Sequence, residues 1–126
     1  MNRKVESSIL IVDDVSSVRQ FLKQALHHLG TYEIHDAADA KQALRTMTFL
    51  RPDIIFLDID LPDQQGITLI PKFLQQSPNT TIVMFSANNT VENIVKAKKL
   101  GAKGFLVKPF TLNKIDFILK KYGRKQ

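Results

Sequence analysis

Apolar residues in this chain alternate between two periods from one end to the other. Residues 9–12 form a short, wholly apolar run, the pattern of a central parallel strand buried on both faces. Val18, Phe21, Leu22, Ala25, Leu26 and Leu29 then recur at helical spacing. Ser16 or Ser17 is placed to cap that helix and Gly30 to close it. Residues 32–37 alternate more, as in a strand nearer an edge. Asp39 is positioned to cap a second helix that buries Ala40, Ala43, Leu44 and Met47, with Pro52 just beyond it.

Residues 54–57 are a second fully apolar run, and Leu61-Pro62 and Gly66 mark the loop after it. Residues 67–76 predict a third helix, provided Pro71 falls in its first turn, where the missing N–H costs nothing. Residues 82–85 predict a fourth strand. Thr90 heads a fourth helix carrying Val91, Ile94, Val95 and Leu100, with Glu92 and Lys96 spaced to pair on its exposed side and Gly101 ending it. Residues 105–107 predict the fifth strand. Thr111 caps a last helix expected to turn Leu112, Ile115, Ile118, Leu119 and Tyr122 inward, and residues 123–126 are expected to fray.

Five strand–helix units in succession predict an α/β sandwich with a parallel sheet. Right-handed crossovers leave few topologies, of which the doubly wound order 2-1-3-4-5 is the common one for five strands. The 126 residues suit one domain, with its core at about residues 7–122. Composition narrows the function classes. With 44% hydrophobic and 24% charged residues, a folded, soluble chain is expected. Neither a membrane-length apolar run nor a signal peptide is present, so a cytoplasmic location is expected. The absence of cysteine excludes disulfides and thiolate chemistry.

In a doubly wound sheet, ligands bind beyond the carboxyl ends of the strands, where strand order reverses. Asp13 and Asp14 follow the first strand, Asp58 the third, Ser86 the fourth and Lys108 the fifth. Three carboxylates at one place repel unless a cation joins them. Oxygen ligands without His or Cys favour Mg²⁺, or Mn²⁺, over zinc. A lysine and a hydroxyl beside them suit a transferring phosphoryl group, and a carboxylate can itself be the nucleophile. The set therefore points to phosphoryl transfer onto an aspartate.

Val12-Asp13-Asp14 with Arg19, Leu57-Asp58-Ile59-Asp60-Leu61-Pro62 with Gly66, Ser86-Ala87, and Gly101-Ala102 through Lys108-Pro109-Phe110 together resemble the response-regulator receiver family of two-component signalling. The resemblance runs over nearly the whole chain, in order. It implies a CheY-like, flavodoxin-like (βα)5 sandwich and a signalling switch rather than an enzyme with a separate substrate. It implies Asp58 as phosphoacceptor, with a sensor histidine kinase or phosphotransfer protein as donor. It further implies Mg²⁺ held by Asp13, Asp14, Asp58 and the Asp60 backbone carbonyl, Ser86 and Lys108 on the phosphoryl group, Phe105 as an aromatic switch, and a cis Lys108–Pro109 bond. Among departures, Leu61 replaces the family's more usual methionine, Ser86 stands where threonine is also common, and Phe105 lacks the hydroxyl of the tyrosine found in some members. Asp60 and Asn88 bear on water access, hence on the lifetime of the phosphorylated state.

Simpler readings compete for each residue. Asp13 and Asp14 alone would serve as helix caps, Lys108 alone as a solvated charge, and His27, His28 and His35 read as ordinary solvated histidines. Asp58-Ile59-Asp60 echoes the paired aspartates of haloacid-dehalogenase-like phosphatases, but that reading leaves Asp13 and Asp14 unexplained. A flavin phosphate would be repelled by the aspartate pair. A pseudo-receiver that binds partners without phosphorylation is the main alternative. Charge is also uneven: residues 96–126 hold ten Lys or Arg and one acid, while residues 1–95 hold eight bases and eleven acids. The basic end reads either as solvated helix faces or as a surface for an acidic partner. Nucleic acid is disfavoured because no stacking aromatics accompany the charge, and a homodimer through the last strand and helices is compatible with the pattern.

Overall fold

The computed structural model describes residues 7–123; of the residues 123–126 expected to fray, Gly123 donates its N–H to the Leu119 carbonyl at 2.8 Å, and 124–126 lie outside the described residues. Five strands, β1 (Ser7–Val12), β2 (Tyr32–Ala37), β3 (Ile54–Leu57), β4 (Thr81–Ser86) and β5 (Gly104–Val107), pair in parallel in the order β2-β1-β3-β4-β5. Helices α1 (Ser16–Leu29), α2 (Ala40–Thr46), α3 (Ile70–Gln76) and α4 (Val91–Leu100) lie in the four crossovers, and α5 (Leu112–Tyr122) follows β5. This is the doubly wound architecture the periodicity predicts.

Strand parity divides the core in two. Leu10, Val12, Ile55, Leu57, Ile82 and Met84 point to one face, where α2, α3 and α4 supply Ala43, Ile70, Phe73 and Ala97. Ile9, Ile11, Ile54, Phe56, Val83, Phe85 and Leu106 point to the other, against Leu22, Ala25 and Leu26 of α1 and Ile115, Ile118 and Leu119 of α5. Every residue of β1 and β3 is buried, which is why residues 9–12 and 54–57 read as unbroken apolar runs rather than alternating ones.

Local chemistry overrides several expectations. Neither Ser16 nor Ser17 caps α1: the helix starts one residue earlier, with Val15 as its N-cap and no side-chain cap bond. Asp13 instead turns its Oδ1 back to accept the Val15 N–H at 2.8 Å. The expected third helix divides into a 3₁₀ turn, Gly66–Leu69, and α3, with Pro71 in the first turn of α3. Proline cannot donate to the carbonyl four residues back, so one α-helical ladder could not run through both pieces. Asp39, Thr90 and Thr111 do cap α2, α4 and α5, and Gly101 closes α4 at φ 119°, a conformation that favours glycine. Glu92 and Lys96 form no ion pair. Leu112 is 38% exposed rather than inward, because it opens α5 at the sheet's carboxyl end. Tyr122 is half-buried and donates its hydroxyl to the Lys103 carbonyl at 3.0 Å. No helix among the described residues is long and apolar enough to cross a membrane.

Candidate functional site

The register places the acids. Parallel pairing sets Ile11 beside Phe56 and Val12 beside Leu57, so the next residues out, Asp13 and Asp58, share the edge between the two central strands. Their backbones stay tied to the sheet: the Asp58 N–H donates to the Val12 carbonyl at 2.9 Å and the Asp13 N–H to the Ala37 carbonyl at 3.1 Å. Carboxylate oxygens of Asp13, Asp14 and Asp58 lie within 4.8 Å of one another. Asp13 and Asp58 are buried, whereas Asp14 is exposed.

Lys108 reaches this cluster from the loop after β5. Its Nζ donates to Asp13 Oδ2 at 2.5 Å and to Asp58 Oδ2 at 3.3 Å. The expected Lys108–Asp58 pair is therefore shared, with Asp13 nearer. Burial pushes the Asp58 carboxyl up to about 6, against the pull of the Lys108 ammonium, and neighbouring Asp13 adds to the rise. For Lys108, burial pulls the ammonium down, but the Asp13 hydrogen bond and the charges of Asp58 and Asp13 outweigh it and hold the group above its ordinary value.

The surrounding backbone is braced. Arg19 donates through Nη1 to the Asp13 carbonyl at 2.8 Å and through Nε to Asp36 at 2.9 Å, which fixes the turn carrying Asp13 and Asp14. Gly66 packs onto the Asp58 backbone so closely that a Cβ there would sit 1.8 Å from the Asp58 carbonyl oxygen. Its N–H donates to the Ile59 carbonyl at 2.6 Å. Asp63, which the sequence did not single out, clasps the start of α2 by accepting the Ala40 and Lys41 N–H groups at 2.9 and 3.0 Å. Those bonds, Ala40 first, hold its carboxyl below the ordinary value. Between the two anchors, the Asp60 N–H faces Asp58 Oδ1 at 3.4 Å, and the Asp60 side chain is exposed.

The other expected site residues stand further back. Ser86 is buried at the end of β4, and its Oγ accepts the Asn88 N–H at 3.0 Å rather than bonding an acid. Phe105 is half-buried against the α2–α4 side of the core, away from the acids. The Lys108–Pro109 bond is cis. His27 and His28 are exposed, and His35 pairs with Glu33 at 2.9 Å. Beside Lys108 opens an apolar cleft of about 500 Å³ walled by Val18, Phe21, Ala87, Pro109 and Phe110.

The family model for the response regulator receiver domain matches residues 9–120. The chain belongs to that family. This receiver domain is 33% identical over 116 residues to the chemotaxis protein CheY of Thermotoga maritima, covering 92% of this chain and 97% of that one. It is 34% identical over 122 residues to sporulation initiation phosphotransferase F of Bacillus subtilis, covering 97% and 94%. A CheY-like receiver domain protein from Methanospirillum hungatei superposes with a TM-score of 0.87 at 29% identity, over 94% and 93% of the two chains. Of the DNA-binding transcriptional regulator NtrC of Azospirillum brasilense, the chain spans only 24%. Receiver domains act as signalling switches with histidine kinases or phosphotransfer proteins, and bind Mg²⁺ at an acidic pocket. The donor set here fits such an ion: hard carboxylate oxygens gathered without an imidazole or thiolate.

Proposed function

We propose that this receiver domain accepts a phosphoryl group on Asp58 from a histidine kinase or phosphotransfer protein, and thereby switches the surface formed by α4, β5 and α5. The observation that carries the proposal is the buried Asp58 carboxylate, fixed at the centre of the sheet edge and facing both Lys108 and the other two acids. One Asp58 oxygen attacks phosphorus. The phosphorus–nitrogen bond to the donor imidazole breaks, its electron pair returns to the ring, and an acyl phosphate remains on Asp58. Lys108 neutralises charge on the phosphoryl oxygens. Ser86 gives up its bond from Asn88 and donates its hydroxyl to one of them. Asp13, Asp14, Asp58 and the Asp60 carbonyl would hold Mg²⁺, which supplies the positive charge that lets an anionic phosphoryl group enter an acidic pocket.

The output side has its own chemistry. A cleft of about 270 Å³ lies between β5 and α5, walled by Phe105, Lys114, Phe117 and Ile118. Phe105 links that cleft to the core, so its repacking is the route by which phosphorylation changes partner affinity. Lys114 lines it, and α4 and α5 carry further exposed lysines, which suits an acidic partner and sets two such faces against each other in a homodimer.

Beryllofluoride, which mimics a phosphoryl group on a carboxylate, tests the site directly. Titration in the presence of Mg²⁺ is expected to saturate at one site in the wild type and to fail with Asp58→Asn. Equal binding to both proteins would remove Asp58 from the role.

A further inference from the structure

We propose that Phe85 is a positioning residue for phosphoryl transfer, holding the Lys108 ammonium between Asp13 and Asp58; the inference rests on the reading of Asp58 as phosphoacceptor. Strand parity puts it there. Phe85 pairs with Leu106 across β4 and β5, and both point to the face that carries Ile11 and Phe56. Two residues beyond Leu106 on that same face stands Lys108, so its side chain lies over the ring. Nζ is 4.9 Å from the ring centre, within cation–π range. The ring is fully buried, and Phe56 and Phe110 fix it edge-on at 6.2 and 5.9 Å.

A lysine needs such a wall here. Its four-carbon stem is flexible, and its two partners pull unequally, at 2.5 Å for Asp13 and 3.3 Å for Asp58. The negative face of an aromatic ring attracts the ammonium without competing for its protons. It offers the same support before and after Asp58 is modified, while closing one side of the ammonium to water. An aliphatic side chain of similar volume would fill the space but lack that field, which separates positioning from packing.

The test compares rates of Asp58 phosphorylation by acetyl phosphate with Mg²⁺, followed by intact mass, in wild type, Phe85→Met, Phe85→Leu, Lys108→Met and the two double variants. Urea unfolding confirms that each is folded at the assay temperature. Either Phe85 substitution is expected to slow phosphorylation about tenfold, about 1.4 kcal/mol, and less than about twofold once Lys108 is methionine. An unchanged rate in the single variants overturns the proposal, as does an equal loss in both backgrounds, which is the signature of packing alone. An unphosphorylated wild type brings down the Asp58 reading, and this role with it, so the two failures are told apart.

Discussion

The two central strands and the β5 side of the molecule are built to opposite specifications. In β1 and β3 every residue is buried, and the acids that follow them are tied to the sheet backbone, to Arg19 and to Lys108. In β5 only Leu106 is buried, and α4 buries only Ala97. Among the described residues, six of nine exposed large apolar side chains (Val91, Val95, Leu100, Val107, Leu112 and Phe117) lie on α4, β5 and α5. Under the proposed function, the difference is a division of labour. Chemistry on a carboxylate needs fixed geometry, which a central strand supplies. Recognition and switching need exposed apolar surface and a lower cost of local rearrangement, which an edge strand under a lightly packed helix supplies. Lys108 joins the two, with its backbone on the β5 side and its ammonium between Asp13 and Asp58.

That contrast can be broken in four ways. Phe56→Ala, in the fixed region, is expected to cost about 3–5 kcal/mol in urea unfolding, while Phe117→Ala, 62% exposed on α5, changes stability by less than about 0.5 kcal/mol. Similar costs at the two positions would erase the distinction. Gly66→Ala forces a methyl into the Asp58 carbonyl and is expected to cost about 2–4 kcal/mol, with loss of beryllofluoride binding. A variant that kept both stability and binding would show the close approach to be dispensable.

The third test is a pH dependence. Asp58 titrates at about 6 when folded against 3.8 in its ordinary state, so between those values the folded protein binds more protons than the unfolded one. Stability from this group is therefore fully present below about 3.8 and is lost as pH rises through about 6 without Mg²⁺. Asp58→Asn should remove that loss. The variant is expected to be the more stable protein at pH 7.5, with the gap closing below pH 4 in thermal or urea unfolding. A gap independent of pH would mean the buried charge is not its origin. Fourth and smallest for stability, charge reversal at Lys98 and Lys99 should leave unfolding within about 0.5 kcal/mol, yet weaken an acidic partner and flatten the salt dependence of its binding. Unchanged, salt-insensitive binding would contradict charge steering on this face.

Much of this was legible in the sequence because burial on both faces leaves unbroken apolar runs at residues 9–12 and 54–57, with the acids at their ends, and Ser86 and Lys108 stand at the ends of β4 and β5. The strand order, the acid cluster and Lys108 followed from that. What stayed hidden depends on contacts distant in sequence. Neither serine caps α1, whose N-cap is Val15, with its own N–H held by the Asp13 carboxylate. Gly66 read as a loop marker, although its requirement comes from the Asp58 backbone pressed against it. Asp63 looks like any loop acid until α2 is seen to begin beside it. Phe85 had a signal after all: counting strand parity from Lys108 back to Leu106 and across to β4 puts its ring under the ammonium.

The most direct measurement is intact mass after incubation with Mg²⁺ and acetyl phosphate, for wild type and Asp58→Asn. One phosphoryl adduct, acid-stable and base-labile, is expected on the wild type and none on the variant. No adduct on the wild type, or the same adduct on both, would contradict phosphorylation at Asp58.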